Sequence, residues 1–140
     1  MSVRTFVDTN VLVYAHDRGS GRRHRIAREI VDGLWEARAG VLSTQVLQEL
    51  YVNVRRRARR PIGAQEARDL IQDYLSWSVV VNDGAALLEA IALESRYRLS
   101  FWDALIVQAA NAAGAEVLLT EDLNAGQRYG SVEAVNPFAE

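Results

Sequence analysis

The sequence alternates short, strongly apolar segments with longer segments in which apolar residues recur every three or four positions. The short segments have the length of buried strands, and the longer ones have the period of helices with one buried face. The predicted strands are 3–7, 41–43, 78–81, 117–119 and 132–135; the predicted helices are 22–39, 44–60, 64–77, 83–97 and 101–113, with one more starting at 8–10. This alternation predicts an α/β fold with a mostly parallel sheet and helices on both faces.

Size and composition fit one domain and exclude several kinds of site. With 140 residues, 49% of them hydrophobic, the chain is predicted to form a single domain over 1–140. The absence of cysteine excludes disulfides, thiol nucleophiles and cysteine-ligated zinc or iron–sulfur centres. All sixteen basic residues are arginine. The lysine that Walker-A nucleotide sites, haloacid-dehalogenase-type phosphatases and receiver domains need near a phosphate is therefore missing.

The sequence predicts a location without export or membrane insertion. Asp8 comes too early for the apolar region of a signal peptide, and no stretch approaches the roughly 18 apolar residues of a membrane span. We therefore expect a cytoplasmic protein. The net charge of -2 is too small to attract a polyanion by itself, so any contact with nucleic acid depends on local patches.

Two aspartates follow predicted strands. Asp8 comes directly after 3–7, and Asp122 stands shortly after 117–119. In an open parallel sheet, ligands bind beyond the carboxyl ends of the strands, so both positions lie at the expected crevice. A structural alternative stays open, because each aspartate could instead cap the helix or turn that follows, which is the commoner role of an isolated aspartate there. Glu121 is adjacent to Asp122 and could take its place.

Two further acids lie on predicted helices. Asp103 falls within the apolar stripe of 101–113, where an unpaired carboxylate is costly. The segment that starts at Ser100 also fits a capping box, which would place Asp103 beside the positive end of the helix and is compatible with metal binding. Glu49 lies at the edge of the apolar face of 44–60, and taken alone it is typical of a solvated surface glutamate.

These four acids could converge on one crevice of the predicted sheet. Clustered carboxylates repel one another, and a divalent cation would neutralise them. Ligation by oxygen alone, with no cysteine in the chain and no histidine at these positions, favours Mg²⁺ or Mn²⁺ over zinc. The candidate metal site consists of Asp8, Glu49, Asp103 and Asp122.

Five short segments together resemble the PIN-domain family, and within it the VapC-like toxins of bacterial toxin–antitoxin pairs. The matching segments are Phe6-Val7-Asp8-Thr9-Asn10, Gln48-Glu49-Leu50, Ser100-Phe101-Trp102-Asp103-Ala104-Leu105-Ile106, Leu119-Thr120-Glu121-Asp122-Leu123 and Val135-Asn136-Pro137-Phe138. Each segment by itself is a weak signal. The ordered set, which runs across essentially the whole chain, is specific.

The resemblance implies a three-layer α/β/α fold with a five-stranded parallel sheet, and a Mg²⁺- or Mn²⁺-dependent endoribonuclease that cleaves single-stranded RNA. It assigns catalysis and metal binding to Asp8, Glu49, Asp103 and Asp122, with Asn10 and Thr120 as supporting polar groups. Such a site lowers the pKa of a bound water and offsets charge on the leaving oxygen. The resemblance also implies a homodimer, and an antitoxin that packs an apolar helix into a groove and directs a basic side chain at the acids.

Two arginine runs are candidates for contact with RNA. Arg55, Arg56 and Arg57 lie on the helix that carries Glu49, and a second run occupies 22–28. RNA phosphates could lie along either run, although solvated helix faces explain such runs about as often. The three tryptophans, Trp35, Trp77 and Trp102, each lie in an apolar pattern, which predicts a core or interface role rather than base stacking.

The sequence leaves two alternatives to a toxin open. The first is a PIN nuclease of RNA processing or decay that has no antitoxin, and a small neighbouring open reading frame encoding an antitoxin would separate the two. The second is a non-catalytic PIN-like module that binds RNA or protein. The presence of all four acids argues against the second alternative.

Overall fold

Six strands form one sheet in the computed structural model, which describes residues 3–139. The strands are β1 Thr5–Val7, β2 Gly40–Ser43, β3 Ser78–Val80, β4 Val117–Leu119, β5 Arg128–Tyr129 and β6 Val132–Val135. Their order across the sheet is β3-β2-β1-β4-β6-β5, and every neighbouring pair is parallel except β5 with β6. The predicted α/β class with a mostly parallel sheet is confirmed.

Six helices flank this sheet. They are α1 Thr9–His16, α2 Arg22–Ala37, α3 Thr44–Arg56, α4 Ala64–Tyr74, α5 Gly84–Tyr97 and α6 Phe101–Ala112, with a short 3-10 helix at Arg18–Ser20. Side chains cap the starts of α1, α3, α5 and α6, where Asp8, Ser43, Asp83 and Ser100 accept hydrogen bonds from first-turn backbone N–H groups. In the capping box predicted at Ser100, the hydrogen bond to the serine side chain is thereby confirmed.

The sixth strand lies in a segment that the sequence predicted as loop, 124–131. β5 has only two residues, which is too short to show an alternating pattern. It forms because a tight turn at Gly130 and Ser131 folds Tyr129 back onto Val132. Gly130 has a φ of 67°, which a glycine adopts without strain. The predicted count of five strands is therefore one short.

Two helices end at least three residues earlier than predicted. The helix predicted over 44–60 ends at Arg56, and the one predicted over 64–77 ends at Tyr74. Beyond Arg56, the backbone N–H groups of Arg59 and Arg60 bind the side chain of Asp17 instead of continuing the helix. Pro61 also disfavours helical backbone at the residue before it.

The centre of the sheet is fully buried and brings two strand ends together. Phe6 and Leu118, on the adjacent strands β1 and β4, have no exposed surface. The backbone N–H of Asp8 donates to the Leu119 carbonyl over 3.0 Å, so the first residue after β1 stays attached to β4. Within residues 3–139, no helix combines the length and the apolar character that crossing a bilayer requires.

Candidate active site

Asp8 lies at the carboxyl end of β1 and is only 6% exposed. The backbone N–H of Thr9 donates to its Oδ1 over 2.7 Å, and the hydroxyl of Thr120 donates to its Oδ2 over 2.7 Å. The carboxylate therefore caps α1 and at the same time joins β1 to the segment after β4. Asp8 therefore caps α1, as the structural alternative predicted, and also lies at the carboxyl end of β1, where the crevice was predicted.

Asp122 lies in the same hydrogen-bond network and is exposed. Its backbone N–H donates to the Thr120 hydroxyl over 3.1 Å, and the Asn10 side-chain amide donates to its Oδ2 over 3.1 Å. The Thr120 hydroxyl thus accepts from one strand-end acid and donates to the other. Asn10 and Thr120, which were predicted as supporting polar groups, are both part of this network.

Glu49 joins the network from α3. The Thr9 hydroxyl donates to its Oε1 over 2.7 Å, and the two side chains meet in a part-buried position. Thr9 therefore contacts two of the predicted acids, Asp8 through its backbone and Glu49 through its side chain. This role of Thr9 could not be predicted from the sequence, because it depends on how α1 packs against α3.

Asp103 lies in the first turn of α6, half-buried at the edge of the helix. The predicted helical face is right, since Ile106, Val107 and Ala110 on that face are all buried, but the first-turn position leaves the Asp103 side chain half-buried rather than buried. Trp102 is 63% exposed, so of the two roles predicted for the tryptophans, core or interface, this residue does not have a core position. The negative charge of Asp103 contributes to the raised pKa of Asp122.

Glu121, the alternative to Asp122, has a different partner. Its Oε2 forms an ion pair with the Nε of Arg23 at 2.9 Å. Asp122 rather than Glu121 shares hydrogen bonds with Asn10 and Thr120. The geometry therefore favours Asp122 as the fourth acid.

The electrostatics of the cluster are those of uncompensated negative charge. Burial raises the pKa of Asp8 from 3.8 to about 7; the hydrogen bonds from Thr120 and Thr9 lower it, and the charges of Asp122 and Glu49 add to the increase. Burial, followed by the charges of Asp103 and Glu121, also raises the pKa of Asp122. A cation bound here would remove this mutual repulsion.

The residues present fit a hydrated divalent ion. Among residues 3–139, no three acidic, histidine or cysteine side chains stand close enough to form a ready-made metal cage. Mg²⁺ is usually held by one or two carboxylates and keeps several waters, so such a cage is not required. The buried Oδ1 of Asn10 has no hydrogen-bond partner and adds a neutral oxygen beside Asp122. Oxygen donors of this kind suit Mg²⁺ or Mn²⁺.

The arginines predicted to bind RNA differ in their freedom to do so. The Arg55 guanidinium lies over the Tyr51 ring, 5.5 Å from its centroid, and donates to the Tyr51 hydroxyl over 3.1 Å. Arg56 and Arg57 are exposed at the end of α3. Arg55 is therefore already occupied within the protein, whereas Arg56 and Arg57 face solvent.

Comparisons with known proteins agree on the family. The PIN domain family matches residues 5–129. Solved structures with a similar fold include a toxin–antitoxin complex from Klebsiella pneumoniae, with a TM-score of 0.67, 24% identity and coverage of 96% of this chain and 98% of that chain. They also include VapC20 of Mycobacterium tuberculosis, described as a Sarcin-Ricin loop cleaving toxin, with a TM-score of 0.63, 21% identity and coverage of 81% and 86%.

A third similar structure is the DNA-bound VapBC of Salmonella typhimurium, with a TM-score of 0.64, 15% identity and coverage of 95% of this chain and 97% of that chain. At these identities the likeness concerns the fold. No curated protein matches the sequence. The family match, which extends over most of the chain, carries the conclusion: this protein belongs to the PIN domain family.

Proposed function

We propose that this protein is a Mg²⁺- or Mn²⁺-dependent endoribonuclease that cleaves single-stranded RNA, and that it is the toxin of a toxin–antitoxin pair. The observation that carries the proposal is the buried Asp8, which hydrogen bonds link through Thr9 and Thr120 to Glu49 and Asp122. Membership of the PIN domain family and the fold shared with VapC20 support the same activity.

The chain's own residues would hold and orient the reacting groups. Asp8, Glu49, Asp103 and Asp122 would hold the cation, one or two of them directly and the others through its bound waters. The cation when bound supplies an activated water and stabilises charge on the leaving oxygen. Thr9 and Thr120 fix the Asp8 carboxylate from two sides, so little reorganisation is needed during the reaction. The same hydrogen bonds keep both oxygens of Asp8 at the carboxyl edge of the sheet.

An antitoxin partner follows from the same proposal. A groove between α3 and α4, with a volume of about 910 Å³, has a largely apolar lining that includes Leu47, Tyr51, Ile71 and Leu75. An apolar helix of the partner would fit this groove. The uncompensated acids at the sheet edge would attract a basic side chain of the same partner.

Homodimer formation and a cytoplasmic location are further parts of the proposal. Leu87, Leu88 and Ile91 of α5 are exposed and offer an apolar surface for contact between copies. Size-exclusion chromatography with light scattering measures the mass in solution. A monomer at all concentrations would contradict the dimer.

Cleavage of a labelled single-stranded RNA tests the activity. We expect cleavage with Mg²⁺ or Mn²⁺, none with EDTA, and a loss of about 10³-fold or more in Asp8→Asn and Asp103→Asn, because a metal site supplies several kcal/mol of transition-state stabilisation. Asp83→Asn is the matched control, since Asp83 caps α5 outside the acid cluster. Undiminished cleavage in EDTA, or in both acid variants, would refute the metal-acid mechanism.

A small open reading frame beside the gene distinguishes a toxin from a nuclease of RNA processing. We expect its product to bind this protein and stop the cleavage. If no such product exists, the ribonuclease part of the proposal stands and the toxin part fails.

A further inference from the structure

A single buried aspartate outside the acid cluster joins two loops. Asp17 follows α1 and is 3% exposed. Its carboxylate accepts hydrogen bonds from the backbone N–H groups of Arg59, over 2.8 Å, and Arg60, over 3.0 Å. It also accepts from the Gly19 N–H and the Ser20 hydroxyl of its own loop, over 3.0 and 2.9 Å. The arginine-rich segment after α3 is therefore fastened to the end of α1.

Close packing reinforces this attachment. A Cβ atom on Gly19 would lie 2.6 Å from the Cβ of Arg59, so the two loops approach as closely as they do only because residue 19 is glycine. Burial raises the pKa of Asp17, but the four hydrogen bonds from Arg59, Arg60, Ser20 and Gly19 together outweigh burial and hold this pKa below its ordinary value. Asp17 is thus a stable anion whose hydrogen bonds set the path of the backbone at Arg59.

The fastened loop places Arg59 at a small cavity. The cavity has a volume of about 390 Å³, and its lining includes Arg23, Arg59, Tyr14 and Gly19. Arg23 is paired with Glu121, whereas Arg59 forms no ion pair with an acidic side chain among residues 3–139. Arg59 therefore brings to the cavity a guanidinium group that forms no ion pair within the described chain.

Two structural links connect this cavity to the acid cluster, one along α1 and one through an ion pair. Tyr14 follows Asn10 by four residues on α1, so the two share a face and are separated by about 6 Å along the helix axis. On the other side, Arg23 is bonded to Glu121, the neighbour of Asp122 in the chain. An extended RNA strand with one phosphate at the acids could place a neighbouring phosphate in the cavity.

We propose that Arg23 and Arg59 form a subsite for a backbone phosphate of the RNA, beside the scissile position, and that Asp17 is the positioning residue that holds Arg59 there. The subsite rests on the proposed ribonuclease function. Guanidinium groups suit it because they bind phosphate oxygens in pairs. The subsite reads the RNA backbone rather than the bases, so it contributes affinity and register without sequence preference.

Binding of a fluorescent single-stranded RNA tests the subsite. Anisotropy is measured over a series of salt concentrations in the Asp8→Asn background, which keeps the RNA intact. We expect Arg59→Gln to raise the Kd about five- to tenfold and to reduce the slope of log Kd against log salt by about 0.7, the value for one phosphate contact on a single strand. Arg128→Gln on the edge strand β5 is the matched control, and Arg59→Lys should restore part of the affinity.

Asp17→Asn tests whether Asp17 positions Arg59, because the expected change in RNA affinity is opposite to the one that the change in net charge would cause. Removing a negative charge favours polyanion binding, so the matched control Asp83→Asn should bind RNA equally or slightly more tightly. We expect Asp17→Asn to bind several-fold more weakly, because the carboxylate oxygen that accepts from Arg59 is lost. In the cleavage-competent protein, Arg59→Gln should raise KM far more than it lowers kcat.

The outcomes separate the subsite from the proposed function. If the wild-type protein cleaves RNA but Arg59→Gln and Arg128→Gln have equal Kd values, the subsite is refuted and the ribonuclease stands. If the wild-type protein neither binds nor cleaves RNA, the proposed function itself fails. Should Asp17→Asn fail to fold, Gly19→Ala decides the positioning role, because it displaces Arg59 with every charge intact. Unchanged RNA affinity in Gly19→Ala would refute that role.

Discussion

The two ends of α1 each hold a buried aspartate, and the two carboxylates are in opposite situations. Asp17, after the helix, accepts four hydrogen bonds and has a lowered pKa. Asp8, before the helix, accepts two hydrogen bonds, faces the charges of Asp122 and Glu49, and has a pKa raised to about 7. Burial alone therefore does not identify a functional acid.

Two differences separate the carboxylates: Asp8 loses more of its hydration, which is the largest cause of its raised pKa, and it has half as many hydrogen-bond donors as Asp17. A buried carboxylate with all its acceptor positions filled stabilises the fold, as Asp17 does. A buried carboxylate surrounded by other acids destabilises the fold unless a cation is present. Asp8 is in the second situation, and this is the physical reason for assigning the chemistry to the start of α1.

The largest expected effect tests which acids belong with Asp8. We expect Asp122→Asn to lower kcat for RNA cleavage by about 10²-fold or more, because a group that holds the cation acts on the transition state. Glu121→Gln should lower kcat far less, since Glu121 is paired with Arg23. Single-turnover cleavage rates of the two variants give the comparison, and the reverse order would move the fourth acid to Glu121.

The next largest effect is a loss of stability on replacing Asp17, whose carboxylate accepts four hydrogen bonds. Asp17→Ala should lower the free energy of unfolding by about 3 kcal/mol, because four part-buried hydrogen bonds lose their charged acceptor. Asp83→Ala is the control and should cost about 1 kcal/mol, the usual value for one helix cap. Urea unfolding followed by circular dichroism measures both. Equal losses in the two variants would mean that Asp17 is an ordinary cap.

A smaller effect of opposite sign is expected at Asp8. Because the folded-state pKa of Asp8 is raised from 3.8 to about 7, its contribution favours folding at low pH and is lost as the pH rises between those values. Without metal at pH 8, Asp8→Asn should therefore raise the free energy of unfolding by about 1–2 kcal/mol. Urea unfolding in EDTA at pH 5 and pH 8 measures the change.

The metal provides the control for that prediction. Mn²⁺ at pH 8 should stabilise the wild-type protein and leave Asp8→Asn unchanged, because ligand binding to the folded state adds stability only where the site exists. If Asp8→Asn is less stable than the wild type in EDTA at pH 8, Asp8 stabilises the fold as Asp17 does, and the proposed difference between the two aspartates is refuted.

The smallest effect concerns the arginine run at the end of α3. Replacing Arg55, Arg56 and Arg57 with Gln should weaken RNA binding and lower the salt slope by about 0.7 for each RNA phosphate that the variant no longer binds. The contribution of Arg55 should be the least, because it is held by Tyr51. An unchanged salt slope in the triple variant would make this run a solvated surface.

The sequence predicted the fold class because strand and helix periods depend on near neighbours in the chain. The same logic placed Asp8 and Asp122 beyond the carboxyl ends of β1 and β4, because an acid that follows a parallel strand lies on that side of the sheet. It failed for β5, which has only two residues. For Asp103 it gave the face of α6 but not the extent of burial, because a side chain in the first turn has no preceding turn to cover it.

Other features could not be predicted because they join distant parts of the chain. The hydrogen bond from Arg59 to Asp17 spans 42 positions, and the one from Thr9 to Glu49 spans 40. Both depend on helix packing that no local pattern encodes. The one signal available for Asp17 was the run Asp17-Arg18-Gly19-Ser20, in which an aspartate two residues before a glycine is typical of a tight turn.

The edges of the sheet affect how this protein meets other chains. One edge is β3, with three residues, and the other is β5, with two. Few backbone groups are therefore free to recruit a foreign strand, the step that starts cross-β aggregation. A chain built this way can remain dispersed at high concentration, and specific association is left to the side chains of its helices.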